Sequence, residues 1–146
     1  MAVPLNTEKN NIVKVAGIWE QGWNTPWLEH DLWIQVVNEF AANGWYMTPV
    51  SGIAKSSTLV EVVDMQEVID ANPDLTVVWV DEKGDIPLQK FEHPQNALYI
   101  MGRTSQTVLG MRRDGDPSVR IETIGGFWAH QALAIVLYDR MKKSWQ

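Results

Sequence analysis

The run LTVVWV, residues 75–80, decides how this chain can fold. A strand with one face in water alternates apolar and polar residues. This run is apolar everywhere except Thr76, the pattern of a strand covered on both faces in a parallel sheet, and it is too short for an ordinary helix. NALYIMG, residues 96–102, reads the same way and ends on Gly102. Two such strands predict an α/β protein whose helices must come from the segments around them.

Upstream, Asp64-Met65-Gln66-Glu67 has the form of a capping box, with an Asp N-cap and Glu three residues later. It predicts a short helix to about Ala71, stopped by Asn72-Pro73-Asp74. TLVEVV at 58–63 alternates as a weaker strand, WYMTPV at 45–50 is a second strand, and residues 51–57 form a loop. IVKVAGIW at 12–19 has the β-branched content of a buried first strand, followed by turn residues in EQGWNTPW. Pro26 then suits the first helical position after Thr25 as cap, and Leu28, Leu32, Trp33, Val36, Val37 and Phe40 recur at helical spacing. ANG at 42–44 is expected to end that helix.

Downstream, residues 81–95 form a long polar connection, residues 103–117 a loop rich in Gly and Arg, and SVRIET at 118–123 the last strand. The join Thr123-Ile124-Gly125-Gly126 leads almost directly into a final helix from Phe127. Ala132, Leu133, Ile135, Val136, Leu137, Tyr138 and Met141 cover most of its circumference, more than one core-facing stripe requires, so it should meet a partner as well as its own sheet. The expectation is one α/β domain over residues 1–146, with a mainly parallel sheet, flanking helices, right-handed crossovers and a loose tail at 1–10.

At 146 residues and 45% hydrophobic the chain can bury a substantial core. Eight tryptophans are enough for some to line an interface or pocket, although most should be core. The absence of cysteine excludes disulfides, thiolate metal sites and a Cys nucleophile. The polar start MAVPLNTEKNN is no signal peptide, and no apolar run approaches the ~20 residues of a membrane span, so a soluble cytoplasmic protein is expected. A net charge of −6 argues against a general nucleic-acid coat. Arg103, Arg112, Arg113 and Arg120 form the one candidate basic patch; with Asp114 and Asp116 among them, a solvated loop is the alternative.

Several chemistries drop out. There is no G-x-G-x-x-G after the first strand, no phosphate-binding G-x-x-x-x-G-K-[ST] and no G-x-S-x-G elbow. His30, His93 and His130 lack metal-ligand spacing, so no metal is expected. What remains is a set of strand ends, Val80-Asp81, Met101-Gly102-Arg103 and Ile121-Glu122, where an open α/β sheet binds its ligands.

The succession NALYIMG, Gly-containing loop, SVRIET and HQALAIVLYDRM resembles the C-terminal half of the SPOUT methyltransferases, and in particular the minimal branch that methylates ribose 2′-hydroxyls of RNA. The resemblance extends weakly over the rest of the chain. It implies a C-terminal trefoil knot, a homodimer formed through the knot and final helix, an RNA substrate and S-adenosylmethionine as cofactor. By position, Val80, Met101, Gly102, Ile121, Trp128 and Leu133 match the family's cofactor contacts; for Ile121 and Leu133 a core role is the competing reading. The Gly125-Gly126 join would then let backbone groups approach the cofactor.

The chain departs from the family pattern where chemistry is concerned. The Arg that begins the family's first helix is missing from QGWNTPWLEHDLW, Gly102 is followed by Arg103-Thr104-Ser105 instead of a segment with Glu, Ile121 is followed by Glu122 instead of Pro, and the final motif's two Asn positions hold Trp128 and Gln131. Arg103, as a phosphate contact, and His130, as a proton acceptor, are the candidate catalytic residues in their place. Arg112, Arg113 and Arg120 are the candidate RNA contacts, with Trp19, Trp23 and Trp27 as stacking platforms. Two other readings remain: a catalytically inactive knotted homodimer that binds the cofactor or a protein, and an unknotted nucleotide-binding domain.

Overall fold

The apolar run that opens the sequence reading becomes β4 (Thr76–Val80), an interior strand. The computed structural model describes residues 11–18, 26–47, 59–62, 64–102, 108–124 and 129–145. Within them lie β1 (Val13–Ile18), α1 (Pro26–Glu39), β2 (Asn43–Met47), β3 (Leu59–Val62), α2 (Met65–Ala71), β4, β5 (Ile86–Pro87), β6 (Ala97–Met101), β7 (Ser118–Arg120) and α3 (Ala129–Ser144). The strands form one sheet in the order β3-β2-β1-β6-β4-β7-β5, and each described pairing is parallel. Strand β6 is therefore inserted between β1 and β4, both of which precede it in the chain.

Side chains alternate between two apolar layers, as the period of a strand requires. Val78 and Val80 of β4, with Ala97, Tyr99 and Met101 of β6, face Trp33 and Val37 of α1 and Leu133, Val136 and Leu137 of α3. Val77 and Trp79, with Leu98 and Ile100, face Met65, Val68 and Ile69 of α2. Full burial of each large side chain contributes roughly 1.5–3 kcal/mol, and Trp33 and Trp79 are among the largest fully buried ones.

The capping box forms as read. Asp64 accepts a hydrogen bond from the Glu67 N–H at 2.9 Å. At the other end of α2, buried Asn72 donates its side-chain amide to the Val68 carbonyl and accepts from the Lys14 ammonium of β1 at 2.7 Å, which ties helix to sheet.

Three expectations need correction. Helix α1 is not ended by the glycine of ANG: Gly44 is buried inside β2, and the left-handed position falls on Ala41, with φ of 53°. The Ala42 N–H bonds to the Val37 carbonyl and the Ala41 N–H to the Asn38 carbonyl, the double bond of a Schellman ending. The polar connection 81–95 contains β5 and a 3₁₀ turn at Leu88–Lys90, and it buries Leu88 and Phe91. Only Ser118–Arg120 of SVRIET is strand. Helix α3 buries Leu133, Val136 and Leu137 and leaves Ile135 and Tyr138 exposed, so its apolar surface does exceed one core-facing stripe, as expected. Thr25, the 51–57 loop, Arg103 and the 125–128 join lie outside the described residues.

A β-carbon at a left-handed position costs about 1 kcal/mol. Ala41 bears that cost, and Ala41→Gly is therefore expected to raise the urea midpoint by the equivalent of roughly 0.5–1 kcal/mol, the gain being reduced by glycine's greater freedom in the unfolded chain.

Candidate functional site

Strands β1, β2 and β3 run to one side of the sheet while β4, β7 and β5 run to the other, so the topology switches around β6. In sheets of this kind ligands bind beyond the carboxyl ends of the strands at the switch. The register pairs Val80 with Met101 and with Val119, so β4 and β6 end level with each other, beside β7. The Gly102 N–H donates to the Val80 carbonyl at 2.8 Å, and the Asp81 N–H to the Val119 carbonyl at 3.0 Å.

A β-carbon on Gly102 would lie 3.1 Å from both the Val80 carbonyl oxygen and Asp81 Oδ2. Glycine here keeps the backbone open where two strand ends meet. Asp81 is buried; Oδ1 accepts the Lys83 N–H and Oδ2 the Val108 N–H, each at 2.9 Å. Gly84 is held more tightly still, since a β-carbon there would lie 2.4 Å from the Val119 carbonyl carbon. The segment 81–85 thus lies directly on β7, and the Asp85 N–H reaches Ser118 Oγ at 2.8 Å.

The structure brings Val80, Met101, Ile121 and Leu133 into one apolar cluster beneath this edge, with Gly102 at its rim. Val80, Met101 and Leu133 are at most 4% exposed, backbone included, and Gly102 is half-buried. Trp128 and Arg103 lie outside the described residues, as do Trp19, Trp23 and the side chain of Trp27. His130 is half-buried in the first turn of α3.

The three described arginines of the candidate patch have intramolecular partners. Arg112 reaches Asp85 Oδ2 at 2.9 Å and the Asp116 carbonyl at 2.7 Å. Arg113 grips both Asp116 oxygens, at 2.9 and 3.0 Å, and Trp79 Nε1 donates to the same carboxylate. Burial alone would raise the Asp116 pKa; the Arg113 and Trp79 hydrogen bonds outweigh it and hold the carboxyl below its ordinary range. Arg120 donates to the carbonyls of Gly84 and Asp85 and approaches Glu122 at 3.6 Å.

At the opposite end of the sheet a cavity of about 780 Å³ opens between the ends of α1 and α3. Its wall carries a polar relay that sequence reading missed. Arg140 donates to Tyr99 Oη at 3.0 Å, Tyr99 donates to His93 Nδ1 at 2.7 Å, and His93 Nε2–H donates to Asp139 at 2.7 Å. This assignment follows from the carboxylate accepting at Nε2, which leaves Nδ1 as acceptor. Lys143 completes the relay with bonds to Asp139 and to the Leu88 and Phe91 carbonyls. Burial pushes the Tyr99 hydroxyl up to about 12 and, against the pull of Asp139, moves His93 below its usual pKa. With these donors satisfied, the relay fastens α3 to β6 and leaves little for a polar ligand.

Among the described residues no cluster of three or more His, Asp or Glu side chains suits a metal ion, and no helix is long and apolar enough to cross a membrane. No protein-family model matches the sequence, and no curated protein is significantly similar to it. Solved structures are similar in fold. A structure concerned with the 2-OH methylation of C/U34 on tRNA superposes with a TM-score of 0.72 over 92% of this chain and 97% of the other, at 10% identity. An RNA 2′-O ribose methyltransferase gives 0.74 over 94% of this chain and 58% of the other, at 12% identity. The SpoU methyltransferase AviRb of Streptomyces viridochromogenes, in complex with AdoMet, gives 0.72 over 93% and 59%, at 16% identity. This chain spans nearly all of the first protein and about three fifths of the other two. The mainly parallel α/β sheet with flanking helices that the sequence predicts is the fold observed, and these methyltransferase structures share it.

Two outcomes follow from this geometry. Gly84→Ala must push 81–85 off β7 and is expected to cost about 2 kcal/mol or more, read as a lower urea midpoint. His93 is neutral in the fold and has a lowered pKa, so the unfolded chain binds the extra proton first. Stability is therefore expected to fall as pH drops below about 6.5, and His93→Gln should flatten that part of the urea-midpoint profile.

Proposed function

We propose that this protein is an S-adenosylmethionine-dependent RNA methyltransferase acting on ribose 2′-hydroxyls. The observation that carries this reading is the edge where β4 and β6 end level beside β7, with half-buried Gly102 at the meeting of two strand ends and an apolar layer below. Backbone donors and acceptors flanked by apolar surface suit an adenine ring, so the residues present fit the cofactor. Two proteins of the same fold whose descriptions name RNA methylation, and a SpoU methyltransferase of that fold in complex with AdoMet, support the same reading.

In this reading Val80, Met101 and Gly102 hold the cofactor through main-chain groups, Ile121 and Leu133 floor the site, and Trp128 flanks it. The cofactor supplies a methyl group on a sulfonium that is already a strong electrophile, so the protein's contribution is chiefly to position the hydroxyl in line. His130 takes the hydroxyl proton and Arg103 holds an adjacent phosphate, in place of the arginine absent from the first helix. Arg112, Arg113 and Arg120 contact RNA by exchanging a carboxylate or carbonyl partner for phosphate. We further propose a cytoplasmic homodimer, joined through α3 and a C-terminal trefoil knot; the exposed Ile135 and Tyr138 support the helix contact.

Calorimetric titration with S-adenosylmethionine and S-adenosylhomocysteine tests the reading. Saturable micromolar binding is expected, lost in a Gly102→Trp variant that keeps its circular dichroism spectrum. No binding up to millimolar ligand would end it. RNA affinity that falls steeply with added salt is the expected second result.

A further inference from the structure

We propose that Asp81 is a positioning residue whose carboxylate fixes the shape of the cofactor site by tethering the chain that leaves β6 at the point where it returns. The proposal rests on the reading of the β4, β6 and β7 ends as the cofactor site.

The argument begins with cost. A buried carboxylate is unfavourable unless its oxygens are satisfied by donors, and Asp81 is only 7% exposed. Both oxygens accept backbone N–H groups: Oδ1 that of Lys83, two residues on, and Oδ2 that of Val108, twenty-seven residues on. The first bond shapes a local turn. The second reaches across a stretch of chain that includes β5 and β6, and no local turn requires it.

Its location gives it meaning. The chain leaves β6 at Gly102, whose N–H is bonded to the Val80 carbonyl, and re-enters the described structure at Val108, whose N–H is bonded to the Asp81 carboxylate. Exit and return are thus tied to consecutive residues, the last of β4 and the one that follows it. Asp81 Oδ2 also lies 3.1 Å from the β-carbon position of Gly102, so the same oxygen borders the exit while it holds the return. Meanwhile the Asp81 N–H is bonded to Val119 of β7 and its carbonyl accepts from Gly84. One residue therefore sets the relative positions of all three strand ends that form the site. Main-chain recognition of a ligand depends on such positions, because backbone groups cannot adjust as side chains do.

Asp81→Asn is the informative change. It preserves volume but offers an amide N–H to one of two backbone N–H groups, so one tether must break. Asp116→Asn, which removes charge from another buried acid outside the site, is the control. In Asp81→Asn we expect faster amide exchange at Val108 and S-adenosylmethionine affinity at least about tenfold weaker, measured where circular dichroism shows both proteins fully folded. Asp116→Asn should lower the thermal midpoint and leave affinity unchanged. Should Asp81→Asn fail to fold, Val108→Pro deletes the donor and leaves the carboxylate in place, with the same loss of affinity expected. Equal affinity in the unaltered and variant proteins, with or without a lower midpoint, overturns the proposal alone. No binding by the unaltered protein overturns the site reading, and the positioning role with it.

Discussion

Contact between two stretches of backbone governs the functional half of this structure. Residues 81–85 lie so close to β7 that Gly84 leaves no room for a β-carbon over Val119. That approach presents the Gly84 and Asp85 carbonyls to Arg120, the Asp85 N–H to Ser118 and the Asp85 carboxylate to Arg112. It also sets β5 alongside β7, which would otherwise be an open edge. A larger residue at one position would separate all of these partners together.

The interior strands were legible in the sequence because burial on both faces leaves an unbroken apolar run, and β4 and β6 have one. The N-terminus of α2 was legible because a capping box is a local signal, complete within Asp64–Glu67. The end of α1 was misread for a physical reason: glycine is the usual left-handed residue, but the Schellman bonds and the packing of Ala42 near Val37 place that conformation on Ala41. Strand β5 and the 3₁₀ turn gave no signal, since two strand residues carry no period and their apolar members are spaced among charges. In the candidate site, the position of Gly102 at the end of β6 was legible from the apolar run before it. The partners of Asp81 and the His93 relay could not, because Val108 and Asp139 are brought to them only by tertiary structure.

Charge shows the same division between composition and arrangement. Of the arginines counted as a basic patch, Arg112, Arg113 and Arg120 lie among Asp85, Asp116 and Glu122, and each uses its guanidinium to fix loops. A protein of net charge −6 can still present cationic groups locally, but here they come already paired. Any polyanion must compete with carboxylates within the protein, so binding would be gained by exchange of partners and would depend on how the polyanion's phosphates are spaced.

The order of the strands also bears on how the chain assembles. Strand β6 sits between β1 and β4 but is synthesised after both, and its register with β1 joins Val13 to Ala97. Until β6 arrives, β1 and β4 each present an unpaired edge, and neither apolar layer is continuous. Contacts of such long sequence separation must meet the entropy of closing large loops before they are rewarded, which slows folding. The sheet cannot close before β6 and then β7, which is likewise inserted between the earlier strands β4 and β5, are in place, and until then the unpaired edges of those earlier strands are open to self-association.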